Sequence, residues 1–457
     1  MNDAGALEGL KRRVLRASGW SVLTQIASQA VRFGGSLVMT RLLVPELFGV
    51  TALAMTFIFA LNMFSDLGLG QVVMRHPVAD DKEFLNTVWT LQILRGVLIG
   101  CAGLLVALGL IALGSMGLLP TGSAYAHPAL PSALMVISCS ALVSGLESTK
   151  TLTASRGLAL RPLAILELAS QVVGLGVTIG WALISPTIFA VAGGAMASGL
   201  TRTALSHVLF EGISNRLFWS REHFNNILSF GRWIFLTSVL GFLISSGDRL
   251  LLGGFIDAKK FGIYTIAAMI VGVAFDVGGR LINTVIYPAL NEAYRRDPAS
   301  LKSTYYRLRA PVDAVCCGIA GIMITAGPAM IHFLYDQRYT DAGLVVQILS
   351  IPMIFLGLSS GGNLYMVIGK PWLVTILIAV RLVGLYASVP PLVLHFGLAG
   401  GAMGVVVGHL VTVPAMFYMK VRHGFFSLGR ELLGIPFIFA GLVVGLGLTY
   451  LLGLVHR

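Results

Sequence analysis

The sequence predicts an all-α membrane protein made of two copies of a six-helix unit, with one further helix at the C-terminal end. Three observations predict it. The 457 residues are 56% hydrophobic and only 11% charged, where a soluble domain carries about 25% charge. The mean hydropathy is +0.85 over the whole chain. Finally, the pentapeptide "AGGAM" occurs at 192–196 and again at 399–403, and its spacing recurs elsewhere.

Lipid offers the backbone no hydrogen-bond partners, so an apolar stretch of about 20 residues crosses it as a helix. Thirteen such stretches are expected, near 17–40, 47–71, 86–112, 129–149, 163–184, 186–210, 229–253, 261–287, 312–334, 342–368, 372–394, 398–419 and 432–454. Ser185-Pro186 and Thr340-Asp341 read as helix starts. The basic N-terminus, with Lys11, Arg12, Arg13 and Arg16, imitates a secretion signal. Its apolar stretch contains Gln25, Gln29 and Arg32, so it reads as a retained first span.

Lysine and arginine are enriched on the cytoplasmic side of membrane proteins. With the N-terminus inside, 21 of the 32 Lys and Arg fall in inner segments, including Arg309, Lys420 and Arg430, and five in outer ones, Arg41, Lys259, Lys260, Arg338 and Arg457. The net charge of +12 is then a property of the inner surface. No basic run interleaved with aromatics points to nucleic acid. Cys101, Cys139, Cys316 and Cys317 all fall within expected spans as small buried hydrophobes, without metal or disulfide spacing. No metal or cofactor is expected.

Three anchors fix the repeat. "AGGAM" recurs after 207 residues, "RPLAILELA" from Arg161 answers to "KPWLVTILIA" from Lys370 after 209, and the hairpin from Arg41 answers to that from Arg249 after 208. The expected organisation is a basic cytoplasmic tail over 1–16, a first bundle over 17–212, and an amphipathic inner-surface linker over 213–228. A second bundle over 229–420 and an added transmembrane helix within 421–457 follow. Six spans per copy is an even number, so both copies enter the membrane alike and a pseudo-twofold axis runs along the membrane normal, the geometry of alternating access. A second surface helix is expected at 298–309, capped by Asp297. The glycines at 193, 194, 400 and 401 read as sites of close helix packing.

Charge inside a span costs about 2.5–3.5 kcal/mol per residue on insertion scales. Arg32, Arg95, Arg202, Arg381, His409 and Arg280 are therefore the candidate cavity residues, able to grip an anion; arginine's planar fork suits phosphate. Arg202 and His409 occupy equivalent repeat positions. Asp66 and Asp276 are the candidates for coupling to a proton or sodium gradient. Plainer readings stand beside these. Asp276 and Arg280, four apart, can neutralise each other. Asp66, Glu147 and Glu167 near the inner surface suit a structural role, Arg249 beside Asp248 suits an interfacial anchor, and His409 suits simple packing. No phosphate-binding glycine loop of the G-x-x-x-x-G-K-[ST] type is present.

The stretch "MTRLLVPELFGVTALAMTFIFALNMFSDLGLGQVVMRHP", with its "RLL-x-PE-x-FG" and "DLGLG" pieces, resembles the first hairpin of the polysaccharide-transporter family. "DRLLLGGF…FGIY" and "YDQRYTDAG…L" resemble its later spans. This family holds the O-antigen and exopolysaccharide flippases of the multidrug/oligosaccharidyl-lipid/polysaccharide exporter superfamily. The resemblance implies a MATE-like two-lobed fold in the bacterial inner membrane. It also implies transfer of a polyprenyl-pyrophosphate-linked oligosaccharide to the outer leaflet, among membrane lipids and polysaccharide assembly proteins. The alternatives are a drug or cation exporter of the same fold, which would want carboxylates where these spans carry arginines, and a membrane glycan polymerase or ligase. The latter would need a catalytic outer loop, and the longest, 113–128, holds one histidine and no acid. The expectation is not an enzyme.

A reporter fused after residue 122 is expected to read as external, and one after residue 155 or 220 as cytoplasmic. An external reading at 220 would remove the six-span first unit.

Overall fold

The structure is a computed structural model describing residues 3–77 and 81–455, without the side chains of 3–19, 21–22 and 454–455. The charged side chains expected at the inner N-terminus, and Arg457, lie outside the described residues. The described chain is helical and contacts divide it into two compact units: residues 1–121 with 125–242, and 122–124 with 243–457.

The first unit holds α1 (Asp3–Leu42), α2 (Pro45–Phe64), α3 (Leu69–Arg75), α4 (Lys82–Ser115), α5 (Ala129–Gly145), α6 (Lys150–Arg156), α7 (Leu160–Ile184), α8 (Ile188–Val208) and the first part of α9 (Arg221–Phe255). Pro45 stands in the first turn of α2, where its missing N–H costs nothing. The "DLGLG" sequence makes the turn from α2 to α3. Asp66 Oδ1 accepts from Gly68 N at 2.9 Å, and Gly68 has φ +62°, a left-handed conformation that favours glycine.

The second unit holds the rest of α9, then α10 (Ala258–Leu281), a π-helical turn over Ile282–Ile286, α11 (Tyr287–Arg296), α12 (Leu301–Leu334) and α13 (Ala342–Ser350). It continues with the short α14 (Leu356–Ser359) and α15 (Gly362–Val367), then α16 (Pro371–Leu410), α17 (Thr412–Arg422), α18 (Leu428–Glu431) and α19 (Ile435–Val455).

Among the described residues ten helices are long and apolar enough to cross a membrane, or eleven if the pair α5 and α6, bent by 65°, counts as one span. The expectation was thirteen. One difference is at Pro371–Arg422, counted once with 52 residues. At about 1.5 Å per residue it is more than twice the roughly 30 Å hydrocarbon thickness. Gly397, with φ 57° and ψ −133°, breaks it between the two expected stretches. The first expected stretch falls on α1 and is not among the ten.

Three boundaries differ from expectation. Residues 213–220 form no surface helix. They run extended and are tied down within the first unit: Asn215 Oδ1 accepts from Ser148 Oγ at 2.7 Å, Arg216 N donates to Asn86 Oδ1 at 2.9 Å, and Phe218 N donates to Thr90 Oγ1 at 3.0 Å. The division between units comes at 242/243, because the first half of α9 packs on the first unit, with Phe242 edge-on to Phe64 at 5.4 Å. Asp297 does cap the next segment, accepting from Ala299 N at 3.0 Å. After one 3₁₀ turn, however, the chain runs directly into α12 and forms no separate surface helix.

Close approach of backbones replaces hydrophobic driving force in lipid. A Cβ on Gly194, in the first "AGGAM", would lie 2.6 Å from Gly174 O, and one on Gly96 would lie 2.8 Å from Ala141 O. The last helix uses the same device: "GLVVG" at 441–445 on α19 lies against α12, where a Cβ on Gly445 would be 2.9 Å from Ile322 O.

The corner formed by α12, α17 and α18 buries four charges. Arg309 Nε meets Asp313 Oδ2 at 2.8 Å, and Arg309 Nη1 donates to Glu431 Oε2. Lys420 Nζ meets Glu431 Oε1 at 2.8 Å and donates to Tyr305 Oη at 3.0 Å. Tyr306 Oη donates to Glu431 Oε1 at 2.6 Å. Lys420 is fully buried, and the side chains of Arg309, Asp313 and Glu431 are at most 5% exposed. Arg309 and Lys420, expected at the inner surface, are thus interior residues, because two carboxylates meet them there. Glu431→Ala is expected to cost about 3–5 kcal/mol, the range for breaking a buried pair from one side. This should appear as a lower thermal midpoint in detergent, and Glu431→Ala with Lys420→Met should recover part of it. An unchanged midpoint would deny the network a part in stability.

Candidate functional site

Two of the candidate arginines and Asp66 meet in one cavity of the first unit, of about 360 Å³, within the range of small-ligand sites of roughly 300–1,000 Å³. Its polar lining includes Asn62, Asp66, Gln92, Arg95, Glu147 and Arg202. Asp66 is set by the α2–α3 turn, and its Oδ2 accepts from Ser238 Oγ of α9 at 3.0 Å. Arg95 lies on α4 next to Gly96, the point where α4 and α5 touch. Its Nε donates to Ser65 Oγ at 3.1 Å and its Nη2 to Asn62 O at 2.7 Å. Among the described residues Arg95 forms no ion pair; its direct partners are neutral oxygens, with the Asp66 carboxylate across the same cavity.

Arg202, on α8, differs. Its Nε meets Glu147 Oε2 at 3.0 Å and its Nη1 meets Glu167 Oε2 at 2.5 Å. Glu147 sits in the break between α5 and α6, where Gln92 Nε2 donates to its main-chain oxygen at 3.0 Å. Glu167 also lines a second cavity of about 240 Å³ with Thr24, Gln25, Ser28 and Arg32. Arg32 is exposed there.

The second unit has its own charged cavity, of about 310 Å³, lined by Ser245, Asp248, Arg249, Tyr264, Arg381 and His409 among others. Arg381 Nη2 lies 2.8 Å from His409 Nε2. A guanidinium only donates, so His409 Nε2 accepts and the ring carries its proton on Nδ1. His409 is therefore a neutral partner of Arg381, and the cation equivalent to Arg202 is supplied by its neighbour. Tyr264 Oη donates to Asp248 Oδ2. Arg249, expected as an interfacial anchor, lines this cavity half-buried, because Asp248 and Tyr264 hold the segment inward.

Asp276 and Arg280 lie elsewhere. Both are exposed on α10, and among the described residues no ion pair joins them. The π-helical turn follows at once. The candidates therefore form three groups: Asp66, Arg95 and Arg202; Arg32 beside Glu167; and Arg381 with His409. The sequence reading missed Glu147 and Glu167 as the jaws on Arg202, and Asp248 with Tyr264 as cavity residues. Each pairing except Asp248 with Tyr264 links residues at least 28 positions apart, which no local spacing rule reports.

Comparison with known proteins gives concordant results. Residues 38–344 match the family described as "Polysaccharide biosynthesis protein". The lipopolysaccharide biosynthesis protein WzxC of Escherichia coli (strain K12) is 19% identical over 409 residues, 88% of this chain and 79% of that one. Two solved structures share the fold. The lipid II flippase MurJ, in an inward closed conformation, superposes with a TM-score of 0.70 at 15% identity, over 95% of this chain and 96% of that one. An inward-facing multidrug resistance MATE family transporter of the MOP superfamily gives 0.67 at 17% identity, over 87% and 94%. The fold is thus that of MurJ and the MATE transporters, in a multi-pass membrane protein.

Proposed function

Because this chain belongs to the polysaccharide biosynthesis protein family, we propose that it is a flippase. It moves a polyprenyl-pyrophosphate-linked oligosaccharide from the inner to the outer leaflet of the bacterial cytoplasmic membrane by alternating access, with its N-terminus cytoplasmic. The observation that carries the reading is the state of Arg95 and Arg381. Each stands inside a membrane helix, faces a cavity of several hundred cubic ångströms, and makes its direct hydrogen bonds to neutral groups: a hydroxyl and a carbonyl for Arg95, an imidazole for Arg381, with Asp66 and Asp248 in the respective cavities but outside ion-pair distance. A guanidinium without a contacting carboxylate at such a site is costly in lipid, and a phosphate anion repays that cost with bidentate, charge-assisted bonds.

The names of the relatives support a lipid-attached cargo, since one is a lipopolysaccharide biosynthesis protein and another flips lipid II. A drug or cation exporter is the weaker reading, because the family match and the curated relative are both polysaccharide or lipopolysaccharide biosynthesis proteins. The chain is a carrier rather than an enzyme. An ion gradient drives it, and polysaccharide assembly proteins deliver and receive its cargo. Arg32, held beside Glu167, is assigned to the entry of the charged headgroup.

Arg95→Ala and Arg381→Ala are each expected to abolish surface glycan in cells that depend on this chain, with membrane levels of the protein near normal. Arg→Lys at either position should restore part of it, keeping charge and losing the fork. Arg32→Ala should weaken export in the same assay. Normal export by all three alanine variants would refute the anion site.

A further inference from the structure

The first unit's cavity region holds as many carboxylates as arginines. Asp66 and Glu147 line it with Arg95 and Arg202, while Glu167 grips Arg202 from the side of the neighbouring cavity, with Arg32. A diphosphate cannot take the Arg202 fork while Glu147 occupies its Nε edge, because two anions would then share one donor in a poorly solvated site.

The three carboxylates are not held alike. Asp66 is fastened by Gly68 N and the Ser238 hydroxyl. Glu167 also accepts from Gln171 Nε2 at 2.5 Å. Among the described residues the Glu147 carboxylate has Arg202 as its one hydrogen-bond partner. It is also the more enclosed of the two on that guanidinium, 15% exposed against 35% for Glu167, and it faces the larger cavity.

Resting on the reading above that the cargo carries a diphosphate, we propose that Glu147 is the protonation switch of the cargo site, admitting the diphosphate to Arg202 by taking a proton; a proton carried outward with the cargo does not itself supply the driving force. The diphosphate takes the Nε edge of Arg202, and the displaced Glu147 takes a proton. An O–H bond forms on the Glu147 carboxylate as an O–H bond of a solvent hydronium breaks and releases water; no bond in the cargo changes. A protonated Glu147 then turns from competitor into hydrogen-bond donor toward a phosphate oxygen. Glu167 keeps its hold and orients Arg202. The charged groups around Glu147 are Arg202 from α8, Arg95 from α4, Asp66 from the α2–α3 turn and, through the shared guanidinium, Glu167 from α7. Lys150 of α6 and His207 of α8 are taken up by main-chain oxygens, those of His207 at 3.1 Å and Leu146 at 2.9 Å.

The test is binding of farnesyl diphosphate to the purified full-length protein in detergent, between pH 6.5 and 8. In the native protein the affinity should fall with pH by up to about tenfold per unit more steeply than in Glu147→Gln, as linkage to one proton requires. Glu167→Gln should keep the native slope. The ligand's own phosphate proton contributes equally to all three and cancels. Calorimetry of the native protein in two buffers of different ionisation enthalpy supplies a second measure, independent of any variant, with proton uptake beyond that of the ligand expected. Equal slopes in native and Glu147→Gln proteins, or no such uptake, would overturn the assignment of Glu147 and leave the flippase reading standing. Failure of the native protein to bind farnesyl diphosphate at any pH would overturn both.

Discussion

Charge inside hydrocarbon must be cancelled or put to use, and this constraint sorts the polar residues of the chain. The corner formed by α12, α17 and α18 shows full cancellation: two cations, two carboxylates and two tyrosines close on one another with almost no exposure. Arg202 is cancelled too, but by carboxylates that open onto cavities. Arg95 and Arg381 hydrogen-bond directly only to neutral groups, with Asp66 and Asp248 farther off in the same cavities. Along that series the residues pass from fully paired and enclosed, through paired but open to a cavity, to hydrogen-bonded without a contacting carboxylate. Total charge does not separate these cases; the identity of each partner does.

The same solvent dictates how the helices meet. Lipid tails are as apolar as leucine, so association depends on close packing and interhelical hydrogen bonds. Glycine supplies the close packing at the Gly96, Gly194 and Gly445 contacts. The first of these does double duty. It brings α4 onto α5 one residue away from Arg95, so the same contact that joins the two helices aims the guanidinium at the loop end of α2.

Much of the architecture was legible because membrane helices announce themselves by length and hydropathy, and because a duplicated unit leaves a constant spacing. The glycine pairs were readable as packing sites for the same reason. The errors share a cause. "YYRLRAPVD" and "YMKVRHG" look like surface charge, since a sequence window shows cations and not the glutamate up to 122 residues away that meets Arg309. Residues 213–220 look amphipathic, yet Asn86, Thr90 and Ser148 claim their polar groups before a surface helix can form. Asp276 and Arg280 have ideal helical spacing, yet both are exposed on α10 and no ion pair joins them among the described residues. Periodicity reports which residues share a face of one helix; it says nothing about which groups on different helices converge.

The placement of Glu431 bears on how the chain is made. Translation runs from the N-terminus, so Arg309 reaches the membrane while more than a hundred residues are still to be added, and Lys420 some ten residues before its counter-charge. At roughly 5–20 residues per second, Arg309 waits several seconds or longer with only Asp313 beside it. Until Glu431 arrives, Arg309 and Asp313 can pair only with each other, and Lys420, once made, is a cation without its carboxylate. Assembly of this corner is therefore ordered by the chain itself: a product that stops between residues 420 and 431 carries a buried lysine without its counter-charge, and only the arrival of α18 closes the network.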